Sequence, residues 1–205
     1  MKKAKTKKAA HQYNAILLFG APGSGKGTQG KILATIPNFY HFSCGDVFRN
    51  LRSDSPLGKI FLQYSSRGHL VPDAPTITLW RTNMELAEHA GRFNPETDTL
   101  VLDGIPRNPR QAEMLEDTVK VRFVFYLSCP DMEKLVERLQ RRALRENRLD
   151  DANMDVIRQR LETYEHETRP VLDYYGPEIV RTIDSTQTPI NVLRDILRIL
   201  AHAPA

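Results

Sequence analysis

The chain has 205 residues, 40% of them apolar and 26% charged, which suits one globular domain with a sizeable core. It has no run of the ~18 apolar residues that a membrane span needs, so we expect no membrane partner. Its formal charge of +4 comes from five lysines before residue 9, since 24 basic residues face 25 acidic ones without them.

These lysines predict a basic, disordered arm at residues 1–13 ahead of a near-neutral body, for which we expect no nucleic-acid partner. The two cysteines, Cys44 and Cys129, form neither a CxxC pair nor a metal-spaced cluster. We therefore expect free thiols, no zinc and a cytoplasmic location.

Strand and helix patterns alternate along the rest of the chain. The predicted strands are residues 15–19, 39–43, 99–102, 122–127 and 178–183. The predicted helices are residues 26–35, a short segment from Asp46, 54–68, 73–89, a segment from Pro130 into an arginine-rich stretch, 153–172 and 189–200. The alternation predicts an α/β fold with a parallel sheet of about five strands and helices on both faces. Ligands of such sheets bind beyond the carboxyl ends of the strands.

A glycine-rich loop, GAPGSGKGTQ at residues 20–29, follows the first predicted strand. Its glycines let backbone N–H groups approach an anion, and the next helix points its positive end at the same place. Lys26 adds a charge for the outer phosphates, and Thr28 offers a hydroxyl to Mg²⁺. A glycine-rich turn without a ligand is the simpler interpretation. The complete order of strand, loop, lysine, hydroxyl and helix favours a nucleoside triphosphate site instead.

The third predicted strand ends in the segment DGIPR, residues 103–107. Asp103 would lie at the carboxyl edge of the sheet, where a carboxylate can hold Mg²⁺ beside Thr28. Arg107 suits a phosphate, and Gln111 can both donate and accept at one base edge. After the second strand, an N-capping Asp46 with a surface Arg49 is the simplest interpretation of that segment alone.

Arginines are concentrated between residues 138 and 160. They are Arg138, Arg141, Arg142, Arg145, Arg148, Arg158 and Arg160. A solvated, salt-bridged helix explains some of them, such as Arg141 and Arg145. Phosphoryl transfer offers a role for the others, because positive charges around the transferred group supply most of that catalysis. An ionised phosphate acceptor needs no general base.

These segments, in this order and spacing, resemble those of adenylate kinases over about residues 15–200. The resemblance rests on the loop, in which Gly27 separates Lys26 from Thr28, and on the DGxPR segment. It implies a P-loop NTPase-type fold with small insertions, working as a monomer that converts ATP and AMP to two ADP. The core would be residues 14–42, 73–140 and 152–205. An AMP-binding flap would cover residues 43–72, and a short lid without zinc ligands would cover residues 141–151.

The resemblance also implies the site residues. ATP would be bound by Gly23, Ser24, Gly25, Lys26, Gly27, Thr28, Arg142 and, through its backbone, Gln187. AMP would be bound by Cys44, Arg49, Leu70, Val71, Gly104, Ile105, Pro106, Arg107, Gln111, Arg148 and Arg160. The catalytic residues would be Lys26, Arg107, Arg138, Arg142, Arg148 and Arg160. Mg²⁺ would be held with ATP by Thr28 and Asp103, partly through water.

Three departures from the family pattern and three alternatives remain. Asp-Ser-Thr at residues 184–186 replaces the more usual Asp-Gly-Thr, and one extra residue lies between Asp151 and Arg158. The family usually has threonine where this chain has Cys44, and a thiol is the weaker hydrogen-bond donor.

A uridylate/cytidylate kinase of the same fold usually carries asparagine at the place of Gln111, so AMP is favoured. A GTP-binding switch would explain residues 147–150, NRLD, only weakly, since the expected lysine is absent and a helix precedes the segment. A nucleic-acid-associated ATPase would use the basic arm.

Overall fold

The computed structural model describes residues 12–146 and 148–202. Residues 1–11 of the predicted arm lie outside the described residues, as does the first residue of the segment at 147–150. Tyr13, assigned above to the arm, is instead the first residue of a strand. None of the helices in this part of the chain is both long and apolar enough to cross a membrane.

Five parallel strands form one sheet in the described part of the chain. They are β1 (Tyr13–Phe19), β2 (Phe39–Ser43), β3 (Thr99–Asp103), β4 (Val119–Ser128) and β5 (Val180–Asp184). Their order across the sheet is β2-β3-β1-β4-β5, and every neighbouring pair is parallel. All five carboxyl ends therefore meet at one edge, where Ser43 pairs with Asp103 in register.

The helices cover both faces of the sheet. They are α1 (Lys26–Leu33), α2 (Cys44–Arg49), α3 (Pro56–Ser65), α4 (Asp73–His89), α5 (Pro109–Leu115), α6 (Met132–Glu146), α7 (Met154–Thr163), α8 (Val171–Tyr175) and α9 (Pro189–Ala201). Alternate residues of β1 enter different cores, with Leu17 on one face and Leu18 on the other. Burial on both faces explains why residues 15–19 of this strand are an unbroken apolar run.

Two helical predictions are wrong in detail. The single helix predicted at 153–172 is divided into α7, a π-helical segment (Tyr164–Thr168) and α8. Pro170 has no N–H to continue the α-helical ladder, and the Arg169 N–H donates instead to the Tyr164 carbonyl, five residues back. Helix α5 was missed because it is short, although Asn108 caps it and Pro109 begins it.

Candidate active site

A cleft of about 450 Å³ opens at the carboxyl edge of the sheet. Its walls come from the glycine-rich loop, the segment 43–71, the turn after β3, α6 with the residues that follow it, and the loop after β5. Every residue assigned above to ATP, AMP, Mg²⁺ or catalysis lines this cleft, with the exception of Ile105. The Ile105 side chain is 2% exposed and packs in the core instead.

The glycine-rich loop has the backbone conformation that its sequence predicts. Gly23 and Gly25 have φ values of 85° and 100°, a region that side chains disfavour, and Gly25 precedes the first turn of α1. The Lys26 ammonium donates to the carbonyls of Gly20 at 2.6 Å and Ala21 at 3.0 Å. Burial lowers the pKa of Lys26 to about 8; Asp103 opposes the shift, while nearby arginines add to it. The loop thus presents a lysine beside the N-terminus of a helix, an arrangement suited to phosphate.

The residues expected to hold Mg²⁺ are compatible with it. Asp103 is 8% exposed, and its Oδ2 lies 3.7 Å from the His41 Nε2. A Cβ added to Gly27 would lie 3.5 Å from that same oxygen, so the carboxylate faces the first turn of α1, where Thr28 is. Among the described residues, no group of three or more acidic, histidine or cysteine side chains is placed to hold a metal. Two oxygen donors suit an Mg²⁺ that takes its remaining ligands from phosphate and water.

A second set of polar groups follows β3. Gly104 has a φ of 76°, and the Arg107 Nε donates to its carbonyl at 2.9 Å. The side-chain oxygen of Gln111 accepts from the Arg107 N–H at 2.8 Å, and its Nε2 donates to the Asp73 carboxylate at 2.9 Å. Gln111 is 1% exposed. Both side chains are therefore oriented by hydrogen bonds at the wall of the cleft.

The arginines that line the cleft are held by carboxylates and carbonyls. Asp151, fully buried, accepts from Arg142 Nε at 2.6 Å and also pairs with Arg160. Arg148 lies 3.3 Å from the Asp46 carboxylate, and Arg138 donates to the Ser185 carbonyl at 2.8 Å. These contacts bring four of the predicted arginines to one cleft, as expected for a site that binds several phosphates.

Surface positions account for Arg141 and Arg158, in agreement with the alternative interpretation, whereas Arg145, which that interpretation also covered, lines the cleft. Arg141 is 70% exposed and pairs with Glu137, one turn away on α6. Arg158 is 71% exposed and pairs with Asp155 at 3.4 Å. Such exposed pairs contribute little, typically about 0–1 kcal/mol.

Comparison with known proteins decides the family. A model of the family described as "Adenylate kinase" matches residues 18–180. This chain belongs to the adenylate kinase family. The adenylate kinase of Thermobifida fusca is 40% identical over 166 residues, which cover 78% of this chain and 83% of the relative. The adenylate kinase of Cyanothece sp. is 37% identical over 192 residues, which cover 90% of this chain and 94% of the relative.

Membership of the adenylate kinase family makes this chain a nucleotide-binding phosphotransferase, as the sequence predicted. The structure adds carboxylates to the site that sequence alone did not point to. Asp46 is not the cap of α2, because the Ser43 hydroxyl accepts from the Asp46 N–H. Asp46 pairs instead with Arg49 at 2.5 Å and with Arg148. Asp151 is similar, since its partners lie nine residues away on either side, a spacing that carries no pairing signal.

Cys44, the departure from the usual pattern of adenylate kinases, is 3% exposed at the cleft. Burial raises the pKa of its thiol to about 11; the positive charge of Arg107 opposes this shift, and the negative charge of Asp103 adds to it. Relative to an ordinary thiol, this lowers its thiolate fraction at pH 8 by about a hundredfold, and the thiolate is the reactive form.

We therefore expect iodoacetamide at pH 8 to alkylate the half-buried Cys129 and to leave Cys44 unmodified over the same time. Peptide mass mapping of the labelled protein measures both sites. The Cys129→Ser variant should then take up almost no label. Equal labelling of the two cysteines in the native protein would contradict the burial of Cys44.

Proposed function

We propose that this member of the adenylate kinase family transfers the γ-phosphoryl group of ATP to the phosphate of AMP, giving two ADP. The observation that supports this most directly is the shared cleft. The glycine-rich loop lines one part of it, and Arg107 with Gln111 lines another. The arginines Arg138, Arg142, Arg148 and Arg160 also line it, so their charge would surround a phosphoryl group passing between two nucleotides.

We propose the loop side of the cleft as the ATP site. Residues 23–28 would bind the phosphates through backbone N–H groups, and Lys26 would follow the transferred group. Gln187 lines the cleft in the loop after β5, with its side chain donating to Asp195 at 2.7 Å, which leaves its backbone to face the ATP base. Thr28 and Asp103 would hold Mg²⁺, which neutralises phosphate charge when bound.

The turn after β3 and the segment 43–71 would form the AMP site. Arg49 and Arg107 would bind the AMP phosphate through their guanidinium groups, and the Gln111 amide would hydrogen-bond to the adenine. The same cleft is also lined by residues without a formal charge at neutral pH, namely Cys44, Leu70, Val71, Gly104 and Pro106. The acceptor phosphate of AMP is ionised at neutral pH. Its oxygen can therefore attack the γ-phosphorus of ATP without a general base to remove a proton.

Two segments are proposed to close over the substrates, the flap at residues 43–72 and the lid at residues 141–151. The Arg148–Asp46 contact joins them, and the Thr163 hydroxyl donates to the Gly68 carbonyl at 3.2 Å, which ties the flap to α7. Closure would exclude water, the competing acceptor of the phosphoryl group.

The proposed setting is the cytoplasm, where the enzyme would balance adenine nucleotides and serve nucleotide biosynthesis. The free thiols of Cys44 and Cys129 support a reducing compartment. We also propose that the enzyme acts as a monomer, as its resemblance to adenylate kinases implies.

A panel of acceptors tests the proposal. With MgATP as donor, AMP should be phosphorylated with a higher kcat/KM than UMP or CMP, and the product should be ADP. Higher values for UMP or CMP would contradict the assignment and favour the uridylate/cytidylate alternative. Transfer to no monophosphate, with ATP still hydrolysed, would favour a P-loop ATPase.

A further inference from the structure

Asp73 is a charged residue beside the proposed base site. It is the first residue of α4, and its Oδ1 accepts from Gln111 Nε2 at 2.9 Å and from Asn108 Nδ2 at 2.8 Å. On the other side of the same amide, Gln111 Oε1 accepts from the Arg107 N–H at 2.8 Å. Gln111 is thus held between an acceptor and a donor, in a side chain that is 1% exposed.

The Asp73 carboxylate and the Arg107 N–H together determine the orientation of the Gln111 amide. The amide oxygen and NH2 group are nearly the same in shape, so only hydrogen bonding distinguishes the two orientations. A flipped amide would direct its NH2 at the Arg107 N–H and its oxygen at the Asp73 carboxylate. Two repulsive contacts would then replace two hydrogen bonds. In the observed orientation, one N–H and one oxygen lone pair remain for a ligand.

The orientation matters because purines differ at this edge. A 6-amino purine presents a ring-nitrogen acceptor beside an amino donor, whereas a 6-oxo purine presents a ring N–H donor beside a carbonyl acceptor. An amide that can flip pairs with either base in the same position. An amide held in one orientation pairs with only one of them.

We propose that Asp73 is a positioning residue that, by holding Gln111 Nε2, makes the acceptor site prefer 6-amino over 6-oxo purine monophosphates. The inference rests on the proposed function, in which Gln111 faces the base of the acceptor nucleotide. Asp73 itself acts through Gln111. Its removal should raise KM for AMP and leave kcat nearly unchanged, since the base is remote from the transferred phosphoryl group.

The test compares kcat/KM for AMP and inosine monophosphate at saturating MgATP. In Asp73→Ala, the ratio of the two values should fall by about tenfold, the discrimination typical of one hydrogen bond to a charged group. Asp73→Asn keeps one uncharged acceptor oxygen and should lower the ratio less, by about threefold. In a Gln111→Ala background, Asp73→Ala should change the ratio no further.

Asn108→Ser is the matched control. Its hydroxyl can still cap α5 by accepting from the Gln111 N–H, but the bond to Asp73 is lost. This variant should lower Tm and leave the ratio unchanged. If Asp73→Ala does not fold, Asp73→Asn provides the same comparison.

Two results would overturn the inference while the native enzyme still phosphorylates AMP. One is an unchanged ratio in both Asp73 variants, and the other is an equal fall in the ratio when Gln111 is already alanine. Absence of AMP phosphorylation by the native enzyme would instead overturn the proposed function, and this inference with it.

Discussion

Replacing Lys26 with methionine is expected to lower kcat by about a thousandfold, the upper end of what removing one preorganised charged donor costs. Methionine has a similar length but cannot carry charge to the transferred phosphoryl group. Steady-state assays of ADP formation at saturating ATP and AMP measure the loss. A kcat within about tenfold of the native value would contradict the role of Lys26.

The Lys26→Met variant should lose activity without losing folding stability. Burial lowers the pKa of Lys26 to about 8, so the folded state holds the proton less tightly than the unfolded state does. The buried charge therefore opposes folding at pH 7, and this opposition decreases as pH rises from about 8 towards the ordinary lysine pKa of 10.5. Lys26→Met should have an unchanged or higher Tm at pH 7. Lys120→Met, at the exposed amino end of β4, is the control and should keep full activity.

Replacing Arg107 with alanine should lower kcat/KM for AMP by about a thousandfold, with KM for ATP changed less than threefold. A guanidinium that binds phosphate through two bonds contributes two charge-assisted hydrogen bonds, each of about 1.5–3 kcal/mol. Arg107→Lys keeps the charge without the planar fork and should retain part of the activity. Initial rates at varied AMP and varied ATP separate the two substrates.

Arg110→Ala is the matched control for Arg107. Arg110 lies in α5, just after Arg107 in the chain, is 79% exposed, and makes one contact of 4.0 Å with Asp73. Its removal should change kcat/KM for AMP by less than about twofold. An equal loss of activity toward ATP and AMP in Arg107→Ala would show that the acceptor-side assignment is wrong.

The strands, helices and loops that could be predicted are those indicated by a pattern of consecutive residues in the sequence. Each of the five predicted strands is confirmed, although β4, at 119–128, extends beyond the predicted 122–127. The signal is clearest for the central strands β1 and β3, because a strand buried on both faces must be a short apolar run. The glycine-rich loop was predictable for the same reason, since its glycines, lysine and hydroxyl are consecutive. The break after α7 was not predictable, because the buried positions keep a helical spacing from Ile157 and Leu161 to Tyr164 and Thr168 while the hydrogen bonding changes.

The amino-acid sequence was sufficient for the family, for the five strands and for most of the assigned residues that line the cleft, because the motifs that indicate them are local. It could not identify the groups that orient those residues. Asp46 lies 102 residues from Arg148, and Asp73 lies 38 residues from Gln111. Whether two such side chains meet depends on the order of the strands and the packing of the helices. Hydrogen bonds at that separation exist only once the chain has folded, and they hold the arginines and the Gln111 amide in place at the cleft.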